Sequence, residues 1–223
     1  MCINKEYSLS ALIISWSIGG YLLYRNHEFD RWNALFLITF ATMQLFDFIL
    51  LILYETGNFN NKSLNLNYII SRYLIPILLA LELFIVYFGS ILYKNNNNFS
   101  GIYEKLINDI FYSSKWYPKI LLIIIIWTLW YNIKWNRETV ISANGNLVWG
   151  DNPNQSGIWK YISGIIFIIF LIYPYLEYIS KPIIAIIVIY LILSLGYSFI
   201  HGNGWGSYWC WIANFLAIIM LFS

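Results

Sequence analysis

The sequence predicts an all-α membrane protein, a seven-transmembrane-helix bundle with a small exposed β-hairpin between helices 4 and 5. Three observations predict it. Apolar residues make up 60% of the 223-residue chain and charged residues only 11%, with a mean hydropathy of +0.62. A soluble domain usually carries about 25% charged residues; at less than half that density it could not cover its surface. Seven apolar stretches approach or reach the ~20 residues that cross roughly 30 Å of hydrocarbon. Between the fourth and fifth stands Asn144-Gly145, flanked by the β-prone runs Thr139-Val140-Ile141-Ser142 and Leu147-Val148-Trp149, the strongest short signal for a hairpin.

The seven stretches are 7–24, 32–54, 67–93, 117–133, 158–178, 182–200 and 205–222, and residues 1–223 read as one integral membrane domain. The first is not preceded by a basic n-region and no small-residue cleavage site follows it, so it reads as a retained helix. It is also short and contains Gly19-Gly20, which permits tilt or close packing; six helices is the main alternative count. The fourth has the purest core, Ile120–Trp127. Trp32, Tyr54, Tyr93, Trp116, Trp135, Trp159 and Trp205 fall at boundaries, where amphipathic rings favour the membrane–water interface.

Two connections carry a pattern of their own. In 102–112, Ile102, Tyr103, Leu106, Ile107, Ile110 and Phe111 recur at helical spacing with Glu104, Lys105 and Asp109 opposite. A helix lying on the membrane surface fits that stripe. Residues 139–149 form the expected hairpin. With seven helices, Lys5, Lys62, Lys134, Arg137 and Lys160 fall on the N-terminal side, and Arg25, Arg31, Lys94, Lys105, Lys115, Lys119 and Lys181 on the other. Seven against five places the N-terminus outside and the C-terminus in the cytosol.

Ionisable groups inside membrane helices cost about 2.5–3.5 kcal/mol on the insertion scale and by default mark function. Asp47 shares a helix face with Gln44 at i, i+3. At ~1.5 Å per residue it lies roughly 10 Å below the outer end of its helix, and Arg72 descends roughly 8 Å from the same side. The two therefore sit at matching depth, either as a structural ion pair between neighbouring helices or as a gate or ligand site. Glu82 lies roughly 22 Å down the same helix as Arg72, beyond a kink expected at Pro76. A carboxyl there suits proton relay or cation binding, or hydrogen bonding to a hydroxyl of another helix. Asn214 is expected to face inward on the last helix.

The segment from His201 to Trp211 packs three glycines among aromatics and predicts a tight outer turn around His201, Trp205 and Trp209. A lone histidine at a helix end is an ordinary interfacial residue, and Cys210 has no cationic neighbour in sequence to activate it. Two histidines and two cysteines, Cys2 and Cys210, build neither a zinc site, a haem site nor a disulfide framework. No cofactor, metal or catalytic residue is assigned. No P-loop, GxSxG or HExxH occurs, nor a lysine in the middle of the last stretch, nor a repeat of three plus three helices. A net charge of +2, scattered between apolar runs, excludes a nucleic-acid partner.

Arg31-Trp32-Asn33, Met43-Gln44 followed by Asp47, the loop Asn144–Trp149 and the run Gly206–Asn214 together resemble an uncharacterised family of multi-helix membrane proteins encoded by giant DNA viruses of algae and protists. The resemblance spans most of the chain. It implies a virion inner membrane or a host membrane as the location, and it carries no activity and no functional residue.

Three functions compete. The intramembrane set Gln44, Asp47, Arg72, Glu82 and Asn214 points first to a channel or transporter for protons, cations or a small polar solute. The alternative is a structural or assembly protein of a viral or host membrane, which predicts satisfied intramembrane charges. A receptor-like sensor ranks third, since a helix count is only an analogy. The partners expected are the lipid bilayer, a second copy of the chain, and a protein docking at the 139–149 hairpin.

Overall fold

A computed structural model of the chain describes residues 5–59, 65–95, 100–135, 138–141, 147–149, 158–176 and 209–221, with isolated helical positions between 185 and 196. Within the helices, the side chains of 131, 132, 135, 158–161, 163, 209–213 and 216 lie outside the description.

The described chain is mostly helical. Helix α1 is Lys5–Arg25 and α2 is Asp30–Glu55. Helix α3 runs Leu66–Lys94 and includes a π turn at Ile70–Leu74. Helix α4 is Ile102–Tyr112, α5 is Trp116–Trp135, α6 is Ile158–Ile172 with a 3₁₀ turn to Tyr175, and α7 is Trp209–Leu221. Strands β1 (Val140–Ile141) and β2 (Leu147–Val148) pair antiparallel, Val140 opposite Val148 and Ile141 opposite Leu147. The Asn144-Gly145 turn lies outside the described residues.

Among the described residues three helices, α1, α2 and α3, are long and apolar enough to cross a membrane, or four spans if α4 and α5 form one bent pair. This fits a membrane-embedded protein, and it falls short of the seven helices expected. The stretch 182–200 lies almost wholly outside the described residues; α6 has a shorter apolar core, Gly164–Tyr175, and α7 is 13 residues long.

Helices α2 and α3 form the centre. Helix α2 packs against α1, α3 and α7, and α3 packs against α5 and α6. Two ends can be told apart. Lys5 of α1 pairs with Glu55 of α2 at what we term end A. At the opposite end B, Arg25 closes α1 beside Asp30, the first residue of α2.

Helix α1 buries Ser8, Ala11, Leu12, Ser15, Gly19 and Leu22, one narrow stripe of mostly small residues. Small side chains let backbones approach where lipid removes the hydrophobic drive to associate. A Cβ on Gly19 would stand 2.6 Å from Ile38 Cγ1, whereas one on Gly20 meets nothing. The opposite face of α1 exposes Ile13, Ile14, Trp16, Tyr21, Leu23 and Tyr24. Apolar residues facing outward are what a hydrocarbon solvent selects.

The π turn precedes Pro76, which has no amide hydrogen and whose ring crowds the preceding turn. The Ile75 amide there bonds the Ile70 carbonyl, five residues back. The chain thus absorbs the proline by local widening, and α3 continues as one span.

Trp32 departs from its expected place in the interfacial belt. It is 1% exposed, stacked on Tyr175 at 4.2 Å, with Gly89 of α3 beneath the ring. Trp116 and Tyr54, in contrast, are about half exposed. A Cβ at Gly89 collides with the Trp32 indole, which is held by Tyr175 and cannot swing aside. Gly89→Ala is therefore expected to destabilise the protein by about 1–3 kcal/mol through overpacking, despite alanine's better helix propensity. Gly20→Ala should be neutral or slightly stabilising. Thermal unfolding in detergent compares the two; equal midpoints would refute the close approach of Trp32.

Candidate functional site

The densest polar cluster among the described residues lies at end A, where the hairpin meets α2 and α3. Asn67 and Ser71 lie one turn apart on α3, with the Ser71 hydroxyl donating to Asn67 Oδ1 at 2.9 Å. The Thr139 amide donates to Asn67 Oδ1 and to Ser71 Oγ, each at 3.0 Å. Asn67 Nδ2 returns a bond to the Thr139 carbonyl at 3.0 Å, and the Ser71 and Thr139 hydroxyls are 2.6 Å apart. The chain entering β1 is thereby fastened by both backbone polar groups of one residue.

The chain leaving β2 is fastened as firmly. Trp149 Nε1–H donates to Asp47 Oδ1 at 2.7 Å, linking α2 to a residue 102 positions later. Asp47 is 1% exposed and lies eight residues from the end of α2, roughly 12 Å deep. The described arms of the hairpin are not the exposed element expected: Thr139 is 1%, Leu147 3% and Val148 7% exposed, and Val140 and Ile141 are part-buried. Two short strands are marginal in water by themselves, so they persist by burying their apolar faces against the bundle and trading polar groups with it.

Arg72 does not pair with Asp47. Its Nε donates to the Ile133 carbonyl at the end of α5, at 2.7 Å, and its guanidinium lies 5.2 Å from the Tyr68 ring centre. This satisfies a carbonyl that the helix leaves open and supports a cation at a helix C-terminus. Equal depth proved a poor guide to pairing, because the helix faces decide which groups meet. Gln44 and Glu82 are each 0% exposed. Asn214, on α7, is half-buried, and its Oδ1 has no hydrogen-bond partner among the described residues. His201 and Trp205 lie outside the described residues, as does the side chain of Trp209, which opens α7.

Sequence reading singled out Asp47 but missed its partner, since nothing local marks Trp149 as more than an interfacial aromatic. It also missed a second knot at end B. There Arg25 reaches Asp30 through Nε at 2.8 Å and Nη2 at 2.6 Å, and its Nη1 donates to the Leu221 carbonyl at 2.8 Å. The His27 amide completes the Asp30 shell at 2.7 Å. One guanidinium thus joins the ends of α1 and α7 to the start of α2. No group of three or more His, Cys, Asp or Glu side chains able to hold a metal occurs among the described residues.

Trp149→Phe removes the donor to a buried carboxylate and is expected to cost about 1–3 kcal/mol. Asp47→Asn should cost a comparable amount, and the double variant less than the sum of the two. Thermal unfolding of the four proteins measures the coupling; strict additivity would show that the two side chains act independently.

No known protein family, curated protein sequence or solved structure matches this chain.

Proposed function

We propose that the chain is a structural or assembly component of a membrane, a polar-locked bundle of seven membrane-crossing helices. The single observation that carries this reading is dryness. Asp47, Gln44 and Glu82 are 1%, 0% and 0% exposed, so almost none of their surface is open to solvent. A conduit built around these groups would leave them accessible surface. The bonds of Asp47 to Trp149 and of Arg72 to Ile133 hold elements together, as a structural role requires. The resemblance to membrane proteins of giant DNA viruses favours a virion or host membrane as the place of assembly.

The translocation reading keeps one support. Glu82 lies twelve residues from the end of α3, roughly 18 Å deep, where an acid is costly without a task. Purified protein in liposomes, tested for proton and alkali-cation leak under an imposed potential, separates the two. The expected result is tight vesicles for wild type, Asp47→Asn and Glu82→Gln alike, with thermal midpoints lowered in the variants. Conduction by the wild type that either substitution abolishes in a folded protein would overturn the structural reading and put that carboxyl on a path.

A further inference from the structure

A cavity of about 510 Å³ opens at end B, between the end of α3, the elbow joining α4 to α5, and the 3₁₀ turn after α6. That volume falls within the ~300–1,000 Å³ of typical small-ligand sites. It is not part of the end A cluster.

The charged groups of its described lining are all engaged. Lys115 Nζ donates to both carboxylate oxygens of Asp109, at 2.9 and 3.1 Å, and the Tyr87 hydroxyl lies 3.3 Å from the same carboxylate. Lys94 also has a partner within the chain. An ionic ligand would have to compete with these contacts, and burying an ion without a counter-charge is costly. The cavity therefore favours a neutral occupant.

The hydrogen-bonding groups left open belong to two rings. Tyr117 donates its hydroxyl to the Phe170 carbonyl at 2.8 Å. The Trp116 indole N–H and the Tyr173 hydroxyl bond to no described residue, and the two side chains line the cavity at 54% and 39% exposure. The wall behind them is flat and rigid. Tyr117 stacks on Tyr173 with ring centres 4.5 Å apart and planes 20° apart, and on Phe170 at 5.4 Å. Pro118 and Pro174, both buried, fix the backbone on either side of this stack. Ile91 and Leu176 add apolar surface.

The setting is a membrane surface. Helix α4 turns 92° into α5, so it lies in the membrane plane when α5 crosses. Tyr103, Ile107 and Phe111, at successive turns of α4, are exposed. A helix of this kind rests at the boundary between headgroups and acyl chains, and the cavity opens beside it. That is the depth at which a membrane amphiphile keeps its polar end.

We propose that this cavity binds a neutral, rigid ring amphiphile, a membrane sterol, with its hydroxyl at Trp116 and Tyr173 and its ring system along Ile91, Pro174 and Leu176. One hydroxyl accepts the indole N–H and donates to the phenol oxygen, which gives both open groups a partner. A phospholipid brings a charged phosphate for which the lining holds no open counter-ion. A fatty alcohol carries the same hydroxyl, but ordering its chain costs conformational entropy, whereas a rigid ring system against a rigid wall loses little.

The test is photolabelling of the full chain in phosphatidylcholine liposomes by cholesterol bearing a diazirine, with the labelled peptides mapped. Label is expected on the segments that line the cavity, 87–94, 115–118 and 173–176, and excess unlabelled cholesterol should suppress it. Trp116→Phe with Tyr173→Phe keeps both rings and removes both polar groups; saturable labelling should fall about tenfold, the worth of one to two net hydrogen bonds. Leu176→Trp, at a half-exposed position, should fill the cavity and abolish saturable labelling, whereas Lys94→Gln should leave it unchanged. Label that excess cholesterol does not suppress, or that survives the Phe pair undiminished, overturns the proposal. Suppression by octadecanol as strong as by cholesterol would assign the cavity to an acyl chain. Suppression by phosphatidylglycerol that Lys94→Gln removes would assign it to an anionic lipid, and either result overturns the sterol.

Discussion

A polar group carried into hydrocarbon must find its partner within the protein, because the bilayer interior offers neither water nor hydrogen-bonding groups. Asp47 is where this constraint acts most widely. Its partner, Trp149, arrives from a connection far along the chain. Meeting that need brings the hairpin against α2 and α3. The Thr139 contacts with Asn67 and Ser71 then fix its other arm. Through Arg72 and the Ile133 carbonyl, the end of α5 is tied to the same region. An unmet carboxylate at that depth would cost several kcal/mol, so the loop's position follows from one buried acid.

End B obeys the same rule by a different route. Arg25 satisfies Asp30 with two bonds and spends a third on the last described turn of α7. Apolar packing supplements it there: Trp32 fills the space above Gly89 and stacks on Tyr175, joining α2, α3 and α6 in one contact. Helix α2 is thus pinned near both ends by groups from distant parts of the chain. Its middle is packed through the buried Phe36, Phe40 and Met43, and Trp16 of α1 donates its indole N–H to the Ile38 carbonyl there.

The outer surface reverses the pattern of a soluble protein. Ile120, Ile123, Ile126, Trp127 and Trp130 form an exposed stripe on α5, and α1 presents a similar face. In water such a surface would drive aggregation; in lipid it is solvated, and the helices are held by small-residue contacts and polar bonds instead.

The sequence by itself determined the solvent. Hydrophobic run length, scarce charge and aromatic boundaries placed α1, α2 and α3 within a few residues of their observed ends, since those signals depend only on local composition. The Asn-Gly signal located an antiparallel strand pair in the same way. Helix α4 lies where the stripe from Ile102 to Phe111 falls, because a 3.6-residue period is a local property. Tertiary structure decided the partnerships. That Asp47 would choose Trp149 over Arg72, that Trp32 would leave the interface for the core, and that strand β2 would be buried all depend on which helix faces meet. Sequence spacing fixes depth along a helix, but the rotation of one helix about its axis against another is set by packing, and a quarter turn exchanges every partner.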